Sequence, residues 1–142
     1  MSDETADQAT VSGFFGGYAR AFERFDLDAL AKRLAYPCQI MSDAGRVATF
    51  SMASAGDYRK RVAPLIDLYR RVGVARGEIA DLDVRGVTER TAIARVRWRV
   101  HSATAPLYEF DAAYTLVATL AGWKIAAIIH DELPKLQGCL GA

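Results

Sequence analysis

Between Arg90 and His101 the chain sorts its side chains by parity. Ala92, Ala94, Val96, Trp98 and Val100 fall on one side, and Arg95, Arg97, Arg99 and His101 on the other. Strand side chains point to opposite faces with a period of two, so this segment fits a sheet with one apolar and one charged face. Leu107 to Thr119 and Trp123 to Asp131 repeat the pattern, and Val74 to Val84 precedes it as a fourth long strand. Gly86, Pro106 and Gly122 fall in the turns between them. A sheet with one apolar face needs a cover.

The first half of the chain can supply that cover. From Asp7 to Phe25, the residues Val11, Phe14, Phe15, Tyr18, Phe22 and Phe25 form one helical stripe. Gly13, Gly16 and Gly17 weaken this helix and point to close approach of another element or of a ligand. Asp26 is placed to cap a short second helix, Asp28 to Ala35, which Tyr36-Pro37 should end. Cys38 to Ser42 and Arg46 to Ser51 read as two short strands around an Asp43-Ala44-Gly45 turn. A third helix starts at Ser54, with Asp57 as its capping partner and Gly73 as its stop. Its apolar stripe is Tyr58, Val62, Leu65, Tyr69 and Val72, and Pro64 should kink or break it. Helices first and antiparallel strands after them predict an α+β fold: a curved, mainly antiparallel sheet wrapped around the helices.

With 142 residues, 51% of them hydrophobic, the chain suits one domain spanning residues 1–142 with a substantial core. Residues 1–8 read as disordered and 134–142 as a flexible tail. A net charge of +1 gives no global field to attract nucleic acid. No apolar run is long enough for a membrane span, and the acidic start does not resemble a signal peptide, so the expected location is the cytoplasm. Cys38 and Cys139 lack metal or redox spacing, and His101 and His130 bring no ligand cluster. No metal and no cofactor is therefore expected. Cys38 reads as a small buried residue and Cys139 as part of the mobile tail.

The stretch from Tyr18 to Leu30, with Asp26 and Asp28 at its centre, resembles the first-helix signature of the nuclear transport factor 2-like superfamily, also called cystatin-like. Tyr36-Pro37 is similar to that family's entry to its first strand. Tyr114-Thr115-Leu116 and Gly122-Trp123-Lys124-Ile125 resemble its last hairpin. The resemblance covers about residues 10 to 132. It implies a cone-shaped α+β barrel whose open end holds a pocket, and dimerisation through the convex sheet face. The superfamily includes polyketide cyclases, ketosteroid isomerases and scytalone dehydratase, so the fold does not name the chemistry. Tyr18 matches the tyrosine that donates to the oxyanion in ketosteroid isomerases. The base position falls at Ser42, and the later acidic donor falls in Ala112-Ala113-Tyr114, so that chemistry does not carry over.

Strand parity gives the candidate site. The inner face should carry Ala94, Val96, Trp98 and Val100, then Tyr108, Phe110, Ala112, Tyr114 and Leu116. On the last strand it should carry Trp123, Ile125, Ala127, Ile129 and Asp131; on the Val74 strand, Arg76, Glu78, Ala80, Leu82 and Val84. A bulge would reverse any of these. The candidate ligand-binding residues are Phe14, Tyr18, Phe22, Tyr58, Val62, Trp98, Tyr108, Phe110, Tyr114 and Trp123. Such a surface suits either a small-molecule pocket or a closed core. Asp131 and Glu78 are the candidate acids or bases, with Tyr18 as a candidate donor, because a carboxylate on an inner face is held neutral by desolvation. Both also lie near strand ends, where inner positions reach water. On the outer face Arg95, Arg97 and Arg99 oppose Asp81, Asp83, Glu109 and Asp111, which fits a solvated ion-pair lattice or a polar homodimer interface.

Three functions follow. The first is a dimeric protein binding a small apolar or aromatic molecule. The second is an isomerase, cyclase or dehydratase using a pocket carboxylate. The third is an accessory protein whose cone is filled by its own side chains and whose sheet face binds another protein; a cavity too small for ~300 Å³ of ligand would sink the first two and favour this one.

Overall fold

The computed structural model describes residues 8–140. Its elements run α1 (Gln8–Glu23), α2 (Leu27–Ala31), β1 (Leu34–Asp43), β2 (Val47–Met52), α3 (Ala55–Val72), β3 (Arg76–Thr88), β4 (Thr91–His101), β5 (Pro106–Thr119), β6 (Gly122–His130) and α4 (Glu132–Leu140). The strands form one curved open sheet in the order β2-β1-β6-β5-β4-β3. Every neighbouring pair is antiparallel except β1 and β6, which are parallel. The α+β expectation holds. The expected disordered start lies outside the described residues, apart from Gln8, which opens α1.

The stripe on α1 buries Val11 and Phe15 completely and Tyr18 and Phe22 in part, against the concave side of the sheet. Phe15 alone contributes about 2–3 kcal/mol by that burial. Gly17 marks a close approach, and the approaching group is neither the sheet nor a ligand. A Cβ there would lie 2.7 Å from Nη2 of Arg33.

The caps read from the sequence are in place. Asp26 accepts from the Ala29 amide at 3.0 Å. Ser54 accepts from the Asp57 amide at 3.2 Å, and Asp57 accepts from the Ala53 amide at 2.9 Å. Gly73 closes α3 in the left-handed region, φ 88°, donating to Tyr69 and Arg70. Pro64 neither breaks nor ends α3, which runs on to Val72. It sits on the exposed side, where water can serve the carbonyl it leaves unpaired. The second helix is shorter than expected: it stops at Ala31, because Leu34 already pairs with Ile125 and the Ile125 amide bonds to Arg33 at 2.8 Å.

Two corrections concern parity. Between β3 and β4 the register slips at Ala80, so Ile79 faces Trp98 and Asp81 faces Arg97. Between β5 and β6 it slips at Ala126, so Leu116 faces Ile125 while Thr115 faces Ala127. One extra residue turns every later side chain to the other face. Arg76 and Glu78 pair with His101 and Arg99, on the outer face. On β6, Ile128 and His130 turn inward; Ala127, Ile129 and Asp131 turn out. A third correction is at the C-terminus, where residues 134–140 of the expected flexible tail belong to α4, with Leu136 fully buried and Cys139 within the helix.

Candidate functional site

The concave side of the sheet, closed by α1, α2, α3 and the start of α4, encloses a cavity of about 110 Å³. Its walls are apolar and aromatic. Seven of the ten expected binding residues line it: Tyr18, Phe22, Tyr58, Val62, Trp98, Phe110 and Tyr114. Three do not. Phe14 packs edge-on against Phe15 beside the Arg33 guanidinium. Trp123 packs half-buried against the core. Tyr108 reaches the site only through its hydroxyl. The volume is well under ~300 Å³, which counts against a ligand of ordinary pocket size and for the filled-core reading, and leaves room for a molecule of about one ring at most. It is comparable with the ~150 Å³ that holds a single benzene ring.

Neither expected acid lies in the cavity. Glu78 is on the convex face, where Oε1 meets Nε2 of His101 at 2.8 Å and Nη1 of Arg99 at 3.6 Å. The His101 hydrogen bond and the Arg99 charge hold its carboxyl below the usual range. Asp131 accepts from the Asp111 amide at 3.0 Å and from Lys135 at 3.4 Å, and lines a charged groove of about 470 Å³ on the convex face. Beside that groove Arg97 bridges Glu109 and Asp111 at 2.7 and 2.9 Å, and Arg99 meets Glu109 at 2.8 Å. Half of the expected ion-pair lattice is present: among the described residues Arg95 has no carboxylate and Asp81 no cation within 4.0 Å, and Asp83 meets Arg85 at 3.3 Å instead.

The acid inside is Glu132, which the sequence reading missed. It is 6% exposed. The Tyr69 hydroxyl donates to Oε1 and the Tyr108 hydroxyl to Oε2, each at 2.7 Å. Its backbone amide donates to Nδ1 of His130 at 3.2 Å. Burial pushes its carboxyl up to about 7, against the two tyrosine bonds, which favour the ionised form. Burial lowers the His130 imidazole and keeps it neutral near pH 7. A signal for Glu132 was available in Asp131 and Pro134, an acidic residue and a proline three positions apart that mark a helix start.

The tyrosines divide by partner. Nε1 of Trp98 donates to the Tyr114 hydroxyl at 2.8 Å. Among the described residues the hydroxyls of Tyr18 and Tyr58 have no hydrogen-bond partner. Burial raises all three well above the ordinary phenol range, so they are neutral donors. Among the described residues no group of three or more His, Cys, Asp or Glu side chains is placed to hold a metal ion. No described helix is long and apolar enough to cross a membrane. Burial raises the Cys38 thiol to about 11, against a nucleophilic role.

A family model described as "NTF2-like protein (DUF6841)" matches residues 5–132. No curated protein matches the chain in sequence. Among solved structures it resembles a protein of unknown function with a cystatin-like fold from Nostoc punctiforme, at TM-score 0.69 and 8% identity, covering 88% of this chain and 90% of that one. It also resembles Rv3472(D26N), a function-unknown protein from Mycobacterium tuberculosis, at TM-score 0.67 and 18% identity over 94% and 83% of the two chains. A candidate scytalone dehydratase from Novosphingobium aromaticivorans aligns at TM-score 0.65 and 16% identity, over 86% and 80%. At these identities the likeness is one of fold.

Proposed function

The chain belongs to the NTF2-like family DUF6841, and from that premise we propose that its cavity binds a small, largely apolar molecule about one ring in size. The observation that carries this reading is the pair of Tyr18 and Tyr58 hydroxyls, left without hydrogen-bond partners among the described residues in a largely apolar wall. Neither is among the fully buried side-chain atoms left unsatisfied, which are Arg33 Nε and Ser42 Oγ, so each hydroxyl keeps open space in which a guest's polar atom can meet it. Small-molecule sites share this make-up: apolar walls with a few polar groups that fix orientation.

The test is binding of a one-ring probe. Fluorobenzene should show saturable broadening in its fluorine NMR signal with the wild-type protein. Val62→Phe, which fills the cavity from α3, should abolish it while keeping the native melt. Absence of saturable binding to the wild type would return the protein to the accessory reading.

A second reading, proton-transfer catalysis of the isomerase, cyclase or dehydratase type, is favoured by Glu132 alone. A carboxyl near 7 is poised to give or take a proton at neutral pH. Each of its oxygens keeps a lone pair beyond the tyrosine bond. This reading predicts that the protein exchanges the α-hydrogens of cyclohexanone in heavy water and that Glu132→Gln loses the exchange. A homodimer through the convex face is also proposed; exposed Ile93 and Ile129 among the charges there support it.

A further inference from the structure

We infer that Phe25 is a positioning residue for Glu132: it holds the Tyr69 ring so that the Tyr69 hydroxyl stays on the carboxyl. This deepens the proton-transfer reading and rests on Glu132 as its acid. α1 ends with the Asp26 amide donating to the Ala21 carbonyl at 3.0 Å and the Phe25 amide to the Phe22 carbonyl at 2.9 Å. That pair of bonds is a common helix stop, in which one residue enters the left-handed region and is normally glycine or asparagine. Here it is Phe25, at φ 51°, and among the described residues no other non-glycine residue has a positive φ. A bulky aromatic residue is disfavoured there, so contacts of its ring must hold it.

Those contacts are with α3. The Phe25 ring lies parallel to Tyr69, with 7° between planes and 6.3 Å between centroids, and the Arg70 guanidinium covers it at 5.0 Å. Phe22 meets Tyr69 edge-on, at 5.0 Å and 85°. The two phenylalanines fix the plane of a tyrosine ring that is buried, 4% exposed. A phenol O–H lies in the plane of its ring, and a hydrogen bond weakens steeply off line. The clamp therefore aims the bond to Glu132 Oε1 at 2.7 Å. Phe25 is not part of the cavity wall, so it acts on Glu132 through Tyr69 alone. The other groups around the carboxyl are Tyr18 of α1, Tyr108 and Tyr114 of β5, and His130 and Asp131 at the end of β6, with Lys135 of α4 paired to Asp131.

Phe25→Gly keeps the helix stop and removes the ring. Loss of the whole Tyr69 bond is worth about one pH unit, and Phe25→Gly should raise the midpoint of a Glu132 carboxyl carbon-13 titration by about half of that. In a Tyr69→Phe background it should add nothing, because no hydroxyl is left to aim. Phe25→Leu, which keeps bulk without a flat ring, should shift the midpoint the same way and serves if Phe25→Gly fails to fold. An unmoved midpoint, or an equal shift in the Tyr69→Phe background, would overturn the inference. Exchange of cyclohexanone α-hydrogens in heavy water separates it from the reading beneath it, since the pH midpoint of exchange should follow the carboxyl titration in each variant. A shifted titration with no exchange by the wild type keeps Phe25 as the positioning residue and removes the proton-transfer reading. Exchange with an unmoved midpoint removes Phe25 alone.

Discussion

The Tyr69 hydroxyl donates to Glu132 Oε1 at 2.7 Å, joining α3 to the first turn of α4 across 63 positions of sequence. With Tyr108 donating to the other oxygen, one buried carboxyl ties a helix, a strand and the C-terminal helix together. A network of this kind is stable only while every member is satisfied, so its weak point is the ionisation of the buried Glu132 carboxyl.

Stability should therefore depend on pH through Glu132. In the folded protein its carboxyl holds a proton up to about 7, against an ordinary 4.5. The stability this contributes is complete below about 4.5 and is lost as pH rises through about 7. The amplitude is about 3 kcal/mol. Tyr69 from α3, Tyr108 from β5, Tyr18 from α1, and His130 and Asp131 from the end of β6 face or surround the group. The His130 shift acts in the opposite direction, since its depressed pKa costs stability as pH falls. Urea unfolding from pH 4 to 8 should show the decline in wild type and a flatter profile in Glu132→Gln.

Removing either tyrosine donor should push the Glu132 transition to higher pH. Both hydrogen bonds favour the carboxylate, so Tyr69→Phe or Tyr108→Phe leaves desolvation less opposed. Each variant should also cost about 1 kcal/mol. A carboxyl carbon-13 titration of Glu132 reads the shift directly, and an unmoved midpoint would contradict the assignment.

Gly17 and Arg33 should couple. Alanine in a helix gains about 1 kcal/mol over glycine. At Gly17 the new Cβ would meet Nη2 of Arg33 at 2.7 Å, and that guanidinium also reaches the Phe14 carbonyl at 3.5 Å. Gly17→Ala should gain less than this in the wild type and the full amount in an Arg33→Ala background. A double-mutant cycle on denaturant midpoints measures the difference.

If the convex face pairs two copies, Ile129→Glu should yield a monomer. Ile129 is 49% exposed on that face and is flanked through β5 by Ala113. Sedimentation equilibrium should show the mass halved, with the circular dichroism spectrum unchanged. A wild type that sediments as a monomer rejects the interface.

Much of the fold was legible because its signals are local. The stripe on α1, the caps at Asp26, Ser54 and Gly73, and the alternation from Thr91 to His101 each depend on residues a few positions apart. α4 was hidden because Gly138 and the short apolar pattern around Leu133 and Leu136 resemble a tail until β1, β5 and α3 pack against it. Seven cavity residues followed from parity and helical spacing alone, since Trp98, Phe110 and Tyr114 lie in the unbroken β4–β5 register that runs from Thr91–Val117 to Val100–Tyr108.

By itself the sequence determined that one face of the sheet would be apolar, that aromatic helices would cover it, and that a carboxyl near the end of β6 was a candidate for the interior. Which carboxyl turned inward was decided by the tertiary structure. The slip at Ala80 moved Glu78 out, and the slip at Ala126 moved Asp131 out and left Glu132 to face Tyr69 and Tyr108. The reason is physical: a bulge forms where strand curvature and packing against the neighbouring strand demand it. A single extra residue then inverts a period-two pattern that local sequence can only read as continuous.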